Sequence, residues 1–109
     1  MTNRITSQTI RNVTRTIVQA AQPEKIVLFG SCARRAQSAE SDLDLLVVVN
    51  SDLPRRQRTR MVYSLFNPYP CAMDILVYTP EEVARWKDTP ASLIAQILSC
   101  GKVLYERAD

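Results

Sequence analysis

Histidine is missing altogether from this 109-residue chain. That absence removes imidazole acid–base catalysis, the Ser–His triads and the His-Glu-x-x-His zinc hydrolases. Cysteine is scarce, with Cys32, Cys71 and Cys100 widely spaced, odd in number and without a Cys-x-x-Cys pair. Such a set predicts reduced thiols in a reducing compartment, and makes a poor ligand group for structural zinc. Long apolar runs are absent too. The longest, Leu43 to Val49, is broken at Asp44 and is far too short to cross a bilayer. Met1 to Arg15 is polar, with several Thr and Arg and no apolar signal core. The expectation is a cytoplasmic protein without membrane association. Aromatic residues make up only 6% of the chain, so stacking platforms for nucleic acid are sparse and nucleic acid is not expected as a direct substrate. Chemistry in this chain has to run on carboxylates and metal ions.

What is present is a globular composition. With 46% hydrophobic residues, one domain spanning residues 1–109 can bury a real core, and there is too little chain for two. The net charge of +3 is modest and comes mainly from Arg34, Arg35 and the cluster Arg55, Arg56, Arg58 and Arg60. The cluster reads as a solvated helix face, or else as a surface for an acidic partner or a polyphosphate.

Apolar positions at Ile10, Val13, Ile17 and Ala20 to Ala21 predict a helix from about Thr6, stopped by Pro23. Lys25 to Phe29 reads as a short buried strand ended by Gly30, and Ser31 can cap a short helix through Arg35. A polar connection, Gln37 to Ser41, leads into a second strand, Asp42 to Val49. Pro54 opens a helix whose apolar face is Met61, Val62, Leu65 and Phe66, with its arginines toward water. After the break at Asn67 to Pro70, Cys71 to Tyr78 forms the third strand. Thr79-Pro80-Glu81-Glu82 has the form of a capping box and starts a helix through Trp86. Thr89-Pro90 launches another, ended by Gly101, and Lys102 to Tyr105 adds a last short strand. The fold class expected is α/β (α+β): a small mixed β-sheet with an α-β-α-β-α-β core flanked by helices.

Three carboxylates stand where strands favour Val or Ile. Asp42 and Asp44 open the second strand, ten residues after Gly30-Ser31, and Asp74 lies near the start of the third. Asp42 and Asp44, two apart on a strand, share a face with Cα atoms about 6.5–7 Å apart. Both can then reach a pair of ions about 3.5–4 Å apart, with Asp74 closing the cage from a neighbouring strand. Convergence requires the second strand antiparallel to the first and the third parallel to the second, joined by a right-handed crossover. Clustered like charges need a compensating cation, and Mg²⁺ suits carboxylates combined with phosphates and water. Gly30 permits close backbone approach, and Ser31 offers its N–H and hydroxyl to nucleotide phosphates at a helix start. Asp74 is placed to help accept the proton of an attacking hydroxyl. Each piece alone has a plainer reading: a turn at Gly30-Ser31, a turn at Asp42-x-Asp44, a local backbone contact at Asp74. Their conjunction, in order and each beside an apolar strand, favours a site for nucleotidyl transfer.

These residues resemble a known family. Gly30-Ser31, ten residues, Asp42-x-Asp44 and a later Asp74 are similar to the minimal nucleotidyltransferases of the DNA polymerase β superfamily, and the likeness runs from Ile26 through Tyr105. The resemblance implies the nucleotidyltransferase fold, metal-binding and catalytic roles for Asp42, Asp44 and Asp74, and nucleotide-phosphate binding at Gly30 and Ser31. It implies a two-ion Mg²⁺ site with ATP or another nucleoside triphosphate as substrate. The family often reads Gly-Ser-Arg-Ala-Arg-Gly where this chain has Gly30-Ser31-Cys32-Ala33-Arg34-Arg35, so roles for the basic residues of that loop do not carry over. Small members are typically partnered by a HEPN-domain protein. The resemblance thus implies an antitoxin that adds AMP from ATP to a tyrosine of a HEPN ribonuclease toxin. Polymerases and aminoglycoside-modifying relatives carry a further domain for the second substrate, so here the acceptor is expected from a partner. The alternatives are an antitoxin that acts by binding alone, and a small-molecule (antibiotic) nucleotidyltransferase.

Overall fold

The computed structural model describes residues 5–30 and 43–108. Helix α1 (Ser7–Ala21) begins where the Thr6 side chain accepts a hydrogen bond from the Thr9 N–H, and ends at Gln22 in the left-handed conformation. Strand β1 (Lys25–Leu28) follows directly. After residues 31–42 the chain enters β2 (Leu43–Val48), then helix α2 (Arg55–Tyr63) and β3 (Met73–Tyr78). Two short helices, α3 (Pro80–Trp86) and α4 (Leu93–Cys100), lead to β4 (Lys102–Glu106). The short helix expected from Ser31 to Arg35 lies outside the described residues.

The four strands form one mixed sheet in the order β3-β2-β1-β4. β1 pairs antiparallel with β2 and with β4, while β2 pairs parallel with β3, with α2 in the crossover. The sequence expectation for the first three strands is therefore met, and β4 takes the open side of β1.

Both faces of the sheet are covered. Val13 and Ile17 of α1 and Val62 of α2 pack on one face with Ile26, Leu45, Val47, Ile75 and Val77. Ile94 and Ile97 of α4, joined by Val83 of α3, pack on the other with Val27, Leu46 and Val48. This accounts for the near-continuous apolar character of β2, whose six residues are all buried. Among the described residues no helix is long and apolar enough to cross a membrane.

The expected capping box is present: Thr79 accepts from the Glu82 N–H, and the Glu82 carboxylate accepts from the Thr79 N–H. Three expectations are corrected. Helix α4 does not start at Thr89-Pro90. Those residues form turns, with the Ser92 N–H donating to Thr89 O, and Ser92 then caps the helix at Ala95 N. A hydroxyl acceptor three residues before a free N–H is a stronger start than a proline alone.

The second correction concerns the arginine-bearing face of α2. Arg58 does not face water. It is 6% exposed, and its guanidinium donates to both carboxylate oxygens of Glu82 at 2.9 and 3.2 Å and to Leu53 O at 3.1 Å. Among the described residues its Nε has no hydrogen-bond partner. Arg55 adds a longer ion pair to Glu82 at 3.7 Å and lies 4.4 Å over the Tyr78 ring. Burial pushes the Glu82 carboxyl up, but the Thr79 N–H, the Arg58 hydrogen bond and the charges of Arg58 and Arg55 outweigh it. The group ends below its ordinary value. Helices α2 and α3 are thereby tied together across the edge of β3.

The third correction concerns cysteine. Cys71 is a buried thiol, as expected, but Cys100 is disulfide-bonded. The fold brings the end of α4 against β1: a Cβ on Gly101 would meet Val27 Cγ1 at 2.5 Å and Leu28 O at 3.2 Å. Cys100 thus lies beside the end of β1, a placement invisible in cysteine spacing.

Candidate active site

The site is assembled at one end of the sheet, where β1 finishes and β2 and β3 begin. Strand direction brings these ends together: Leu28 pairs with Leu45, and the Phe29 N–H donates to Asp44 O at 3.1 Å. Gly30 therefore arrives beside Asp44, although 13 residues of chain separate the two.

Asp44 and Asp74 are register partners on the parallel strands β2 and β3. Register partners project from the same face of a sheet, and adjacent strands lie about 4.8 Å apart. The flanking residues confirm the face. Leu45 and Ile75 pack into the core under α1 and α2, whereas Leu46 and Leu76 belong to the opposite cluster under α4. Asp44 and Asp74 stand on that second face, at the end where β2 and β3 begin.

Their surroundings differ. Asp44 is only 6% exposed, and Asp74 is exposed. Asp44 is sunk against the backbone of Gly30: an ideal Cβ on that glycine would lie 1.9 Å from Asp44 Oδ2, 2.8 Å from its Cγ and 3.0 Å from its Cβ. Neither glycine of the chain has a positive φ, so Gly30 is not there for an unusual backbone conformation. It is there because the Asp44 carboxylate occupies the space of a side chain. The close approach expected at this glycine is thus made by the chain's own carboxylate.

Side by side, two carboxylates on adjacent strands repel one another. As a donor set they offer hard oxygens on one face, one sheltered and one open, and this suits a cation such as Mg²⁺ that keeps water and phosphate ligands. Among the described residues no group of three or more His, Cys, Asp or Glu side chains gathers to hold a metal. The two other residues expected here, Asp42 and Ser31, lie outside the described residues. Of the five expected site residues the structure therefore brings together three: Gly30, Asp44 and Asp74.

Tyr63, at the end of α2, was not flagged by any motif. Its hydroxyl accepts a hydrogen bond from the Ile75 N–H at 2.8 Å and contacts Met73 O at 3.3 Å, on either side of Asp74. The available signal was its position after Val62 at the apolar end of the helix, where an aromatic body with a polar tip fits a half-buried edge.

Comparison with protein families matches residues 11–109 to the family described as "Polymerase beta, Nucleotidyltransferase". Comparison with curated proteins finds no relative that matches. Among solved structures, the chain is similar to the toxin–antitoxin MntA-HpeT in a mutant form, with a TM-score of 0.54 at 19% identity over 94% of this chain and 75% of that one. It is also similar to the BolA domain of SufE1 from Arabidopsis thaliana, with a TM-score of 0.52 at 20% identity over 72% of this chain and 98% of that one. At such identities the likeness is one of fold.

Proposed function

Because the chain belongs to the polymerase β nucleotidyltransferase family, we propose that it is an antitoxin transferring AMP from ATP to a tyrosine of a HEPN ribonuclease toxin. The observation that carries this reading is the register pairing of Asp44 with Asp74 beside a glycine whose side-chain space the Asp44 carboxylate occupies. Likeness to a toxin–antitoxin structure supports the kind of partner.

Asp44 and Asp74, with Asp42 two residues before Asp44 in the sequence, would hold two Mg²⁺ ions. Such ions neutralise triphosphate charge and acidify an attacking hydroxyl. The chain's own residues do the rest by position. Asp44, sheltered against Gly30 on a central strand, is the less exposed anchor of the site. Asp74, open to solvent on the neighbouring strand, faces an incoming acceptor and is the group to take the proton of its hydroxyl. Gly30 keeps the surface beside Asp44 free of a side chain, and Ser31 offers its N–H and hydroxyl to phosphate oxygens. Positioning and charge neutralisation suffice for phosphoryl chemistry, so the missing histidine is no obstacle.

Intact-mass analysis after incubation with ATP, Mg²⁺ and the candidate toxin tests this reading. The expected result is a toxin heavier by adenylyl groups, and no adduct with the double variant Asp42→Asn, Asp44→Asn. A toxin neutralised equally well by that variant, without any adduct, would show that binding alone is the function. Nucleotide transfer to an aminoglycoside, with the toxin left unmodified, would instead establish a small-molecule transferase.

A further inference from the structure

Asp74 is the exposed member of the carboxylate pair, and among the described residues no side chain holds its carboxylate. Its position therefore depends on the backbone of β3. On one side that backbone is held by β2, through the register that sets Asp44 against Asp74. β3 is an edge strand: among the described residues no strand lies on its other side. The N–H and C=O groups of alternate residues point to the same side of a strand. Ala72 O accepts from the Leu43 N–H of β2, so Met73 and Ile75 direct their polar groups to the open edge.

Those are the groups that Tyr63 reaches. Its hydroxyl accepts from the Ile75 N–H at 2.8 Å and donates to Met73 O at 3.3 Å. One oxygen thus takes the place of a neighbouring strand for the two residues that flank Asp74. The ring is seated in turn: Tyr69 packs against it, with centroids 5.9 Å apart and planes at 57°. Helix α2 is anchored to the same strand by Arg58, which donates to Val77 O at 3.4 Å and to Glu82 in the first turn of the next helix.

We propose that Tyr63 is a positioning residue for Asp74, clamping the β3 backbone on both sides of the carboxylate so that it stays opposite Asp44. The proposal rests on the reading of Asp44 and Asp74 as ion-binding carboxylates. An unclamped edge at the start of a strand frays, and fraying there would move Asp74 while leaving the buried Asp44 in place. The hydroxyl acts through the peptide groups on either side of Asp74 rather than on the carboxylate itself, one step outside the ligand in the manner of outer contacts of metal sites.

Tyr63→Phe keeps the ring and its packing on Tyr69 and deletes only the hydroxyl. Three quantities are read on the full chain: Ile75 amide exchange, the NMR order parameter of the Asp74 Cβ, and the dissociation constant for Mn²⁺ as a probe for Mg²⁺. Expected are faster Ile75 exchange, a lower Asp74 order parameter, and Mn²⁺ binding weakened about tenfold, the low end for outer contacts of a metal site. In an Asp74→Asn background the same substitution should weaken Mn²⁺ binding no further, because the carboxylate it positions is gone. Equal weakening in both backgrounds, or an unchanged Asp74 order parameter, would overturn the proposal and leave Tyr63 a plug of the sheet edge. If the unaltered chain binds no Mn²⁺, the ion-site reading fails, and the Asp74 order parameter still decides whether the clamp positions that side chain.

Discussion

Replacing Gly30 by alanine adds one methyl group at the most crowded point of the site. The new Cβ would sit 1.9 Å from Asp44 Oδ2, about 1.1 Å inside the 3.0 Å below which such contacts essentially never fall. The Asp44 Cβ lies at 3.0 Å and is carried by a strand paired on both sides, so it cannot retreat far. The carboxylate can rotate, and it is the group that must move, by an ångström or more. Because φ at Gly30 is not positive, alanine costs nothing in backbone strain, and stability should change by less than about 1 kcal/mol. A misplacement of about 1 Å in a catalytic group costs on the order of 100-fold in rate, or about 2.7 kcal/mol of barrier. Gly30→Ala should therefore lose about 100-fold in adenylyl transfer, followed by intact mass over time, with a melting temperature within a few degrees of the parent. Transfer retained within threefold would refute the argument. So would a loss that merely tracks unfolding.

The other glycine makes the opposite case. At Gly101 an added Cβ would meet Ile97 O at 2.6 Å, a backbone atom that cannot swing aside, so Gly101→Ala should cost about 1–3 kcal/mol in urea unfolding. Glu82→Gln leaves the buried Arg58 guanidinium without its counter-charge and should cost about 1–3 kcal/mol. This is less than for a fully buried pair, because Glu82 keeps 31% of its side chain exposed. The Glu82 carboxyl is held below the ordinary 4.5, so its contribution is present above that pH and is lost as pH falls through the lowered folded value. Acid titration of stability should accordingly be shallower in Glu82→Gln than in the parent below about pH 4.5. Leu45→Ala empties a site with 0% exposure in the central strand and should cost about 2–5 kcal/mol by the same urea measurement.

Much of this molecule is legible in its sequence because local physics dominates there. Apolar spacing at Val13 and Ile17 marks α1, continuous burial marks β2, and Thr79 with Glu82 writes out a capping box within four residues. The order of motifs along the chain even implied that β2 runs against β1 and along β3, since only that arrangement gathers Gly30, Asp44 and Asp74. Absence was as informative as presence: without histidine, the carboxylates became the candidates for the chemistry.

Tertiary structure decided which residues of one type behave differently from their neighbours. Arg58 looks like Arg55, Arg56 and Arg60 until Glu82, 24 residues away, is brought beside it by β3. Cys100 looks isolated until α4 ends against β1. Gly30 reads as a turn glycine, yet the backbone there is ordinary and the space is taken by Asp44. Tyr63 has no motif at all, because its role comes from the edge of a strand that lies ten or more residues further on. Sequence carries the pattern of what must be buried and which groups can do chemistry, since those depend on residue type and spacing. Whether a given charge is buried, a hydroxyl bridges or a glycine is crowded depends on residues distant in the chain, and only the folded packing brings those within an ångström-scale contact.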